Sequence, residues 1–193
     1  MAPANPIQLI AGLGNPGEKY AATRHNAGYW FADLVVQRCQ EQWRRERRFF
    51  GEVARVQVAG HECRVIKPDT FMNRSGQSVG ALAHFFRLEP QQILVVHDEL
   101  DLPPGKVRLK HGGGHGGHNG LRDLHRILGP DYWRLRIGIG HPGHKSQVVS
   151  YVLKPPSVED KTAIETAIAR AAEELPGILA GDSAGVMNRL HAG

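Results

Sequence analysis

Apolar positions fall along this chain in short strand-like runs and helical periodicities, with glycine and proline between them. Ile7-Gln8-Leu9-Ile10-Ala11-Gly12-Leu13 predicts a strand that Gly14-Asn15-Pro16-Gly17 breaks. A helix is expected from Thr23 to about Arg45, with Trp30, Phe31, Leu34, Val35 and Cys39 on its buried face. Its last residues join the basic run Trp43-Arg44-Arg45-Glu46-Arg47-Arg48, which reads as a solvated helix end or an RNA contact. Glu52–Val58 and Glu62–Ile66, split by Gly60, predict a hairpin. A helix over about 75–88 should turn Val79, Leu82, Ala83 and Phe86 inward, and Phe71 before it reads as core. Ile93-Leu94-Val95-Val96-His97 is a buried strand, ended by Asp98.

Pro103-Pro104-Gly105 then forces a turn, because proline cannot continue a ladder and glycine accepts positive φ. Lys106–Lys110 alternates as a half-exposed strand with a cationic face. The loop Gly112–Gly120 carries almost no side chains except imidazoles and Asn119, and leads into a helix with apolar residues at 121, 124, 127 and 128. Asn119 therefore sits near a helix start, where it can cap and where backbone N–H groups favour anions. Trp133–Ile139 predicts a strand, 144–153 gives no clear pattern, and Gly140, Pro142 and Gly143 leave 141–153 as a candidate cover. Helices are expected from Ser157 to about Leu175 and over Asp182–Leu190.

At 193 residues the chain fits one domain, over 7–193, behind a loose Pro/Ala tail at 1–6. The net charge of +5 is concentrated: residues 106–145 hold eight Lys or Arg against two Asp. That points to a polyanionic partner. Cys39 and Cys63 lie outside any ligand spacing, and neither a signal peptide nor a bilayer-spanning run is present, so a reducing cytoplasm is the expectation.

The chemistry is carried by three asparagines at chain breaks (15, 73 and 119), a histidine at a helix start (His25) and an aspartate at a strand end (Asp98). The helix N-terminus should keep His25 neutral, as a base requires. A nucleophile elbow, a P-loop and a catalytic-cysteine signature are all missing, so water is the natural nucleophile. A histidine paired to a buried carboxylate takes a proton from water, and asparagines bind peptide groups and a developing oxyanion without charge. With a cationic strand nearby, the set suggests hydrolysis of an acyl bond, peptide-like on the acyl side, with a phosphate-bearing leaving group.

Other chemistries fit less well. Gly12-x-Gly14-x-x-Gly17 is a literal dinucleotide fingerprint, the basis for a nucleotide-dependent oxidoreductase. Pro16, however, removes a donor from its turn, and no acidic residue follows at the required distance. His111, His115 and His118 could join Asp98 on a metal, but flexible glycines are a poor frame for fixed ligand geometry. A non-catalytic RNA-binding module would use only the basic region 106–145.

Five stretches, in order, resemble the signatures of bacterial peptidyl-tRNA hydrolases. They are Gly12-Leu13-Gly14-Asn15-Pro16-Gly17-x-x-Tyr20-x-x-Thr23-Arg24-His25-Asn26-x-Gly28; Lys67-Pro68-x-Thr70-Phe71-Met72-Asn73-x-Ser75-Gly76; His97 to Gly105; Gly112 to Gly120; and Arg134 to Pro142. The resemblance runs from about residue 7 to His191. It implies a monomeric, single-domain α/β protein with a central mixed, twisted β-sheet flanked by α-helices. It also implies cleavage of the ester between a peptide and the 3′ ribose of tRNA, in the cytoplasm, with no cofactor, metal or membrane. Carried onto this chain, His25 is the base and Asp98 its partner. Asn15, Asn73 and Asn119 bind substrate, Tyr20, Met72 and His118 belong to the same substrate-binding set, and Lys110 with Arg136 holds the tRNA 5′ phosphate.

Overall fold

A computed structural model describes residues 6–192, so all but Pro6 of the tail expected at 1–6 lies outside the described residues. Strand β1 (Leu9–Gly12) is buried throughout. A strand covered on both faces has no solvent side, which accounts for its unbroken apolar sequence. Two 3-10 turns, Glu18–Tyr20 and Arg24–Asn26, lead to α1 (Ala27–Arg38).

The helix expected to reach Arg45 therefore stops at Arg38. Gln40 takes a left-handed φ of 55°. Arg44–Glu46 (β2) then pairs antiparallel with β3 (Gly51–Val58). The basic run is thus an edge strand followed by the turn Arg47–Phe49, not a helix end. Strand pairing overrides the helical preference of Arg, Glu and Gln here. The expected hairpin is present, with β4 (His61–Pro68) antiparallel to β3.

There follow α2 (Ser75–Phe85), β5 (Ile93–Glu99), β6 (Val107–His111), α3 (Asn119–Leu128) and β7 (Trp133–Gly138). The unassigned 144–153 holds α4 (Val148–Val152). The C-terminal part is α5 (Val158–Glu173), α6 (Leu175–Ala180) and α7 (Ser183–His191). Ser157 caps α5, its hydroxyl accepting from the Asp160 N–H at 3.1 Å. No separate signal marks α6 in the sequence; Pro176 sits in its first turn, where a missing N–H is harmless.

The seven strands run in the order β2-β3-β4-β1-β5-β7-β6. β4, β1, β5 and β7 are parallel, and β2, β3 and β6 add antiparallel edges. Alternate residues feed two cores. Ile10, Leu94 and Val96 join α1, α5, α6 and α7 on one face. Leu9, Ala11, Ile93 and Val95 join α2 and α3 on the other. On α1, Phe31 and Val35 are buried as expected, together with Ala32 and Val36, while Trp30, Leu34 and Cys39 are half-buried against the core.

The glycine fingerprint is a packing device. A Cβ on Gly12 would lie 2.4 Å from the Gly28 carbonyl oxygen, and one on Gly28 would lie 2.3 Å from that of Val96. α1 therefore rests on β1 and β5 at backbone contact. It begins at Ala27, well past Gly17, and only the single 3-10 turn Glu18–Tyr20 follows the glycines directly, so α1 does not open on the glycine turn and the dinucleotide reading loses its geometry.

Candidate active site

The parallel strands β1, β4 and β5 end on one side of the sheet. There α1 leaves along one face and α2 along the other, and the crevice between such connections is where open α/β sheets bind ligands. A cleft of about 760 Å³ occupies this place. Asn15, His25, Met72, Asn73, Asp98, His118 and Asn119 all line it, brought together from four separate stretches of sequence.

Asp98 is the centre of the arrangement and is 3% exposed. Its Oδ2 lies 2.9 Å from Nδ1 of His25, and its Oδ1 lies 2.9 Å from Nε2 of His118. The two histidines do not play the same part. His118 Nδ1 accepts the backbone N–H groups of Gly120 (3.1 Å) and Leu121 (3.3 Å), so its proton sits on Nε2 and is donated to Asp98. His118, and not Asn119, is therefore the cap of α3, and these two N–H groups are not available to an anion. His25 donates from Nδ1, which leaves Nε2 unprotonated in the neutral ring.

Burial alone would raise the Asp98 carboxyl, but His25 and His118 outweigh it and hold the group well below the usual carboxylate range. For His25, burial disfavours the charged ring. The Asp98 charge and hydrogen bond more than offset this, and the net shift is upward. The expectation of a His25 kept neutral by a helix N-terminus is thus corrected. It lies in a 3-10 turn before α1, and the carboxylate dominates. His97 behaves oppositely: fully enclosed and beside His118, it is pushed down to about 3 and stays neutral. Its Nδ1 donates to the Asp98 carbonyl at 2.8 Å.

Asn15 is held by a residue to which the sequence reading gave no role. Asn26, 1% exposed, accepts the Asn15 N–H at 2.9 Å and donates to the Asn15 carbonyl at 2.9 Å. The Asn15 side-chain oxygen accepts the Met72 N–H at 2.7 Å, which leaves its amide N–H₂ group for a ligand. The signal for Asn26 was present, as a fourth asparagine beside His25. Met72 is buried and lines the cleft. Phe71, expected in the core, is instead 59% exposed at the rim. Tyr20 does not line the cleft; it stands edge-on behind Phe71, with ring centroids 6.2 Å apart.

The basic region divides in two. Arg134 is 2% exposed. Its guanidinium donates to the Gly113 carbonyl (2.6 Å), to that of Gly114 and to that of Pro130 (3.3 Å), so it braces the glycine loop and does not face solvent. Lys110 and Arg136 stay outside the cleft. Lys110 pairs in register with Arg134, and Arg108 with Arg136, so all four leave one face of β6 and β7. Arg136 also donates to Glu99 at 2.9 Å. His111 points away to the Asp131 carbonyl, at 2.9 Å. Among the described residues, possible metal donors converge only at His25, Asp98 and His118, and these are already joined by hydrogen bonds.

Frame and site together define a three-layer α/β protein with a histidine–aspartate–histidine centre in an open cleft. A family model described as peptidyl-tRNA hydrolase matches residues 9–193. A peptidyl-tRNA hydrolase of Halorhodospira halophila is 58% identical over 187 residues, covering 96% of each chain. One from Neisseria meningitidis serogroup A is 50% identical over 190 residues, covering 98% of this chain and 99% of its own. The crystal structure of the peptidyl-tRNA hydrolase from Acinetobacter baumannii superposes with a TM-score of 0.95 at 44% identity, covering 100% of this chain and 97% of that one. The chain belongs to the peptidyl-tRNA hydrolase family.

Proposed function

We propose that the chain hydrolyses the ester joining a peptide's carboxyl terminus to the 3′ ribose of tRNA, the activity for which its family is named. One observation carries the site assignment: His25 lines the cleft while its Nδ1 is fixed by a buried Asp98, which leaves Nε2 as the ring nitrogen for a substrate or water. Nε2 takes a proton from water as the oxygen attacks the ester carbonyl. Asp98 holds the tautomer and stabilises the imidazolium that forms. The same proton then passes to the departing ribose oxygen. His118 shares the Asp98 charge and keeps the carboxylate oriented.

Asn15, Asn73 and Asn119 supply uncharged amide donors and acceptors for the peptide group and for the oxyanion of the tetrahedral intermediate. Met72 forms the cleft floor, and Tyr20 acts through Phe71 at the rim. Lys110 and Arg136 bind the tRNA 5′ phosphate from the β6–β7 face. The scheme uses water and side chains of a single chain, so a monomer acting in the cytoplasm on tRNA suffices.

Asparagines pair with both the donor and the acceptor of an amide at the substrate's N-blocked residue, whereas to an ammonium group they offer only carbonyl acceptors and no negative charge to balance it. N-acetylated aminoacyl-tRNA should be cleaved at least about 10²-fold faster, in kcat/KM, than the unblocked form. Equal rates for the two would contradict the peptide-binding role of the asparagines.

A further inference from the structure

The residue before His25 has a side chain this scheme does not use. Arg24 shares the 3-10 turn Arg24–Asn26 with His25 and is only 9% exposed. Among the described residues it has no acidic partner. Its Nη1 donates to the carbonyls of Tyr151 (2.9 Å) and Lys154 (3.3 Å), at the end of α4. Its guanidinium lies 3.8 Å from the centroid of the Tyr151 ring. The Arg24 backbone N–H also donates to Lys154, at 3.1 Å. Tyr151 in turn donates from its hydroxyl to the Ile139 carbonyl at 2.6 Å, just past β7.

These bonds tie down a wall of the cleft. Val148, Val149, Val152 and Leu153 all line it, and Val149 is 69% exposed. Arg24 makes three of the hydrogen bonds that join residues 141–154 to the rest of the chain, and Tyr151 makes a fourth. A buried guanidinium held by carbonyls and a ring face, with no carboxylate, is a costly way to fill space, and the Arg24 Nε is buried without a partner. An apolar side chain would pack there at less cost, but it could not fix two carbonyls and a ring at once.

We propose that Arg24 is a positioning residue, which clamps the α4 wall to the turn that carries His25. Val149 and Leu153 then meet the acyl part of the substrate at a set distance from the His25 imidazole. The proposal rests on the hydrolase reading for its kinetic consequence and on geometry alone for the clamp.

The test compares Arg24→Lys with wild type, and Tyr151→Leu serves as a second variant that removes the stacking surface without burying a new charge. Kinetics on N-acetyl-aminoacyl-tRNA are measured together with amide hydrogen exchange. KM should rise about ten-fold while kcat falls less, with the acid limb of the pH profile unmoved. Exchange should speed up over residues 148–154 and stay slow over β5. Unchanged KM and unchanged exchange at 148–154 in both variants would overturn the clamp. So would a loss of exchange protection spread evenly through β5, which marks general destabilisation. If wild type shows no hydrolysis, the functional reading fails, and the exchange measurement still decides the clamp.

Discussion

His118 donates from Nε2 to Asp98 at 2.9 Å while its Nδ1 caps α3, so the imidazole that orients the carboxylate is locked at both ends. Asp98 is thereby shared between two rings, and its pull on His25 is weaker than an unshared carboxylate would exert. His118→Asn retains a cap for α3 but not the reach to Asp98. The undivided carboxylate should then favour the His25 imidazolium. The upward shift of His25 predicts a wild-type acid limb of kcat/KM above the ordinary histidine range, and in this variant the limb should move to still higher pH. Asp98→Asn should move it the other way, because burial then acts on His25 unopposed, and kcat should fall by about 10³–10⁴ with the tautomer lost. A pH profile of the three proteins checks both directions.

Asn26 satisfies two buried backbone groups of Asn15 at 2.9 Å each. Asn26→Ala leaves both without partners, at about 1–3 kcal/mol apiece. Denaturant unfolding should show a loss of about 2–6 kcal/mol, and kcat/KM should fall as Asn15 leaves its place between Asn26 and Met72.

Lys110 and Arg136 lie on one face of the β6–β7 pair and do not line the cleft, although Arg136 donates to Glu99 at its edge. Their replacement by alanine should weaken tRNA binding and leave single-turnover chemistry at saturation intact. The slope of log affinity against log salt should flatten by about one for each phosphate that is no longer neutralised. Arg134→Ala should act differently: with Gly113 and Gly114 released, stability and turnover should fall together.

What could be read from the sequence alone was local. An unbroken apolar run gave β5, and Asp98 fell where the run ended; Gly60 marked the hairpin turn, and Ser157 marked the start of α5. What could not be read depended on distant partners. β2 is a strand because β3 lies beside it, although its residues favour a helix. Arg134 and Arg136 look alike on one alternating strand, yet Arg134 is buried by a glycine loop some twenty residues upstream in the chain. Phe71 has the composition of a core residue and stands at the cleft rim, because Met72 beside it is the residue tied to Asn15. The double role of His118 required both the α3 start and Asp98 in place. The upward shift of His25 required knowing that a carboxylate, not a helix end, is its nearest charge.

The central claim is that His25 is the base. Single-turnover hydrolysis of N-acetyl-aminoacyl-tRNA by wild type and by His25→Asn, with tRNA affinity measured alongside, tests it most directly. The rate should fall by about 10²–10⁴-fold, the span of a lost general base, with affinity held within about two-fold. Equal rates in the two proteins would contradict the account and place the base elsewhere around the cleft.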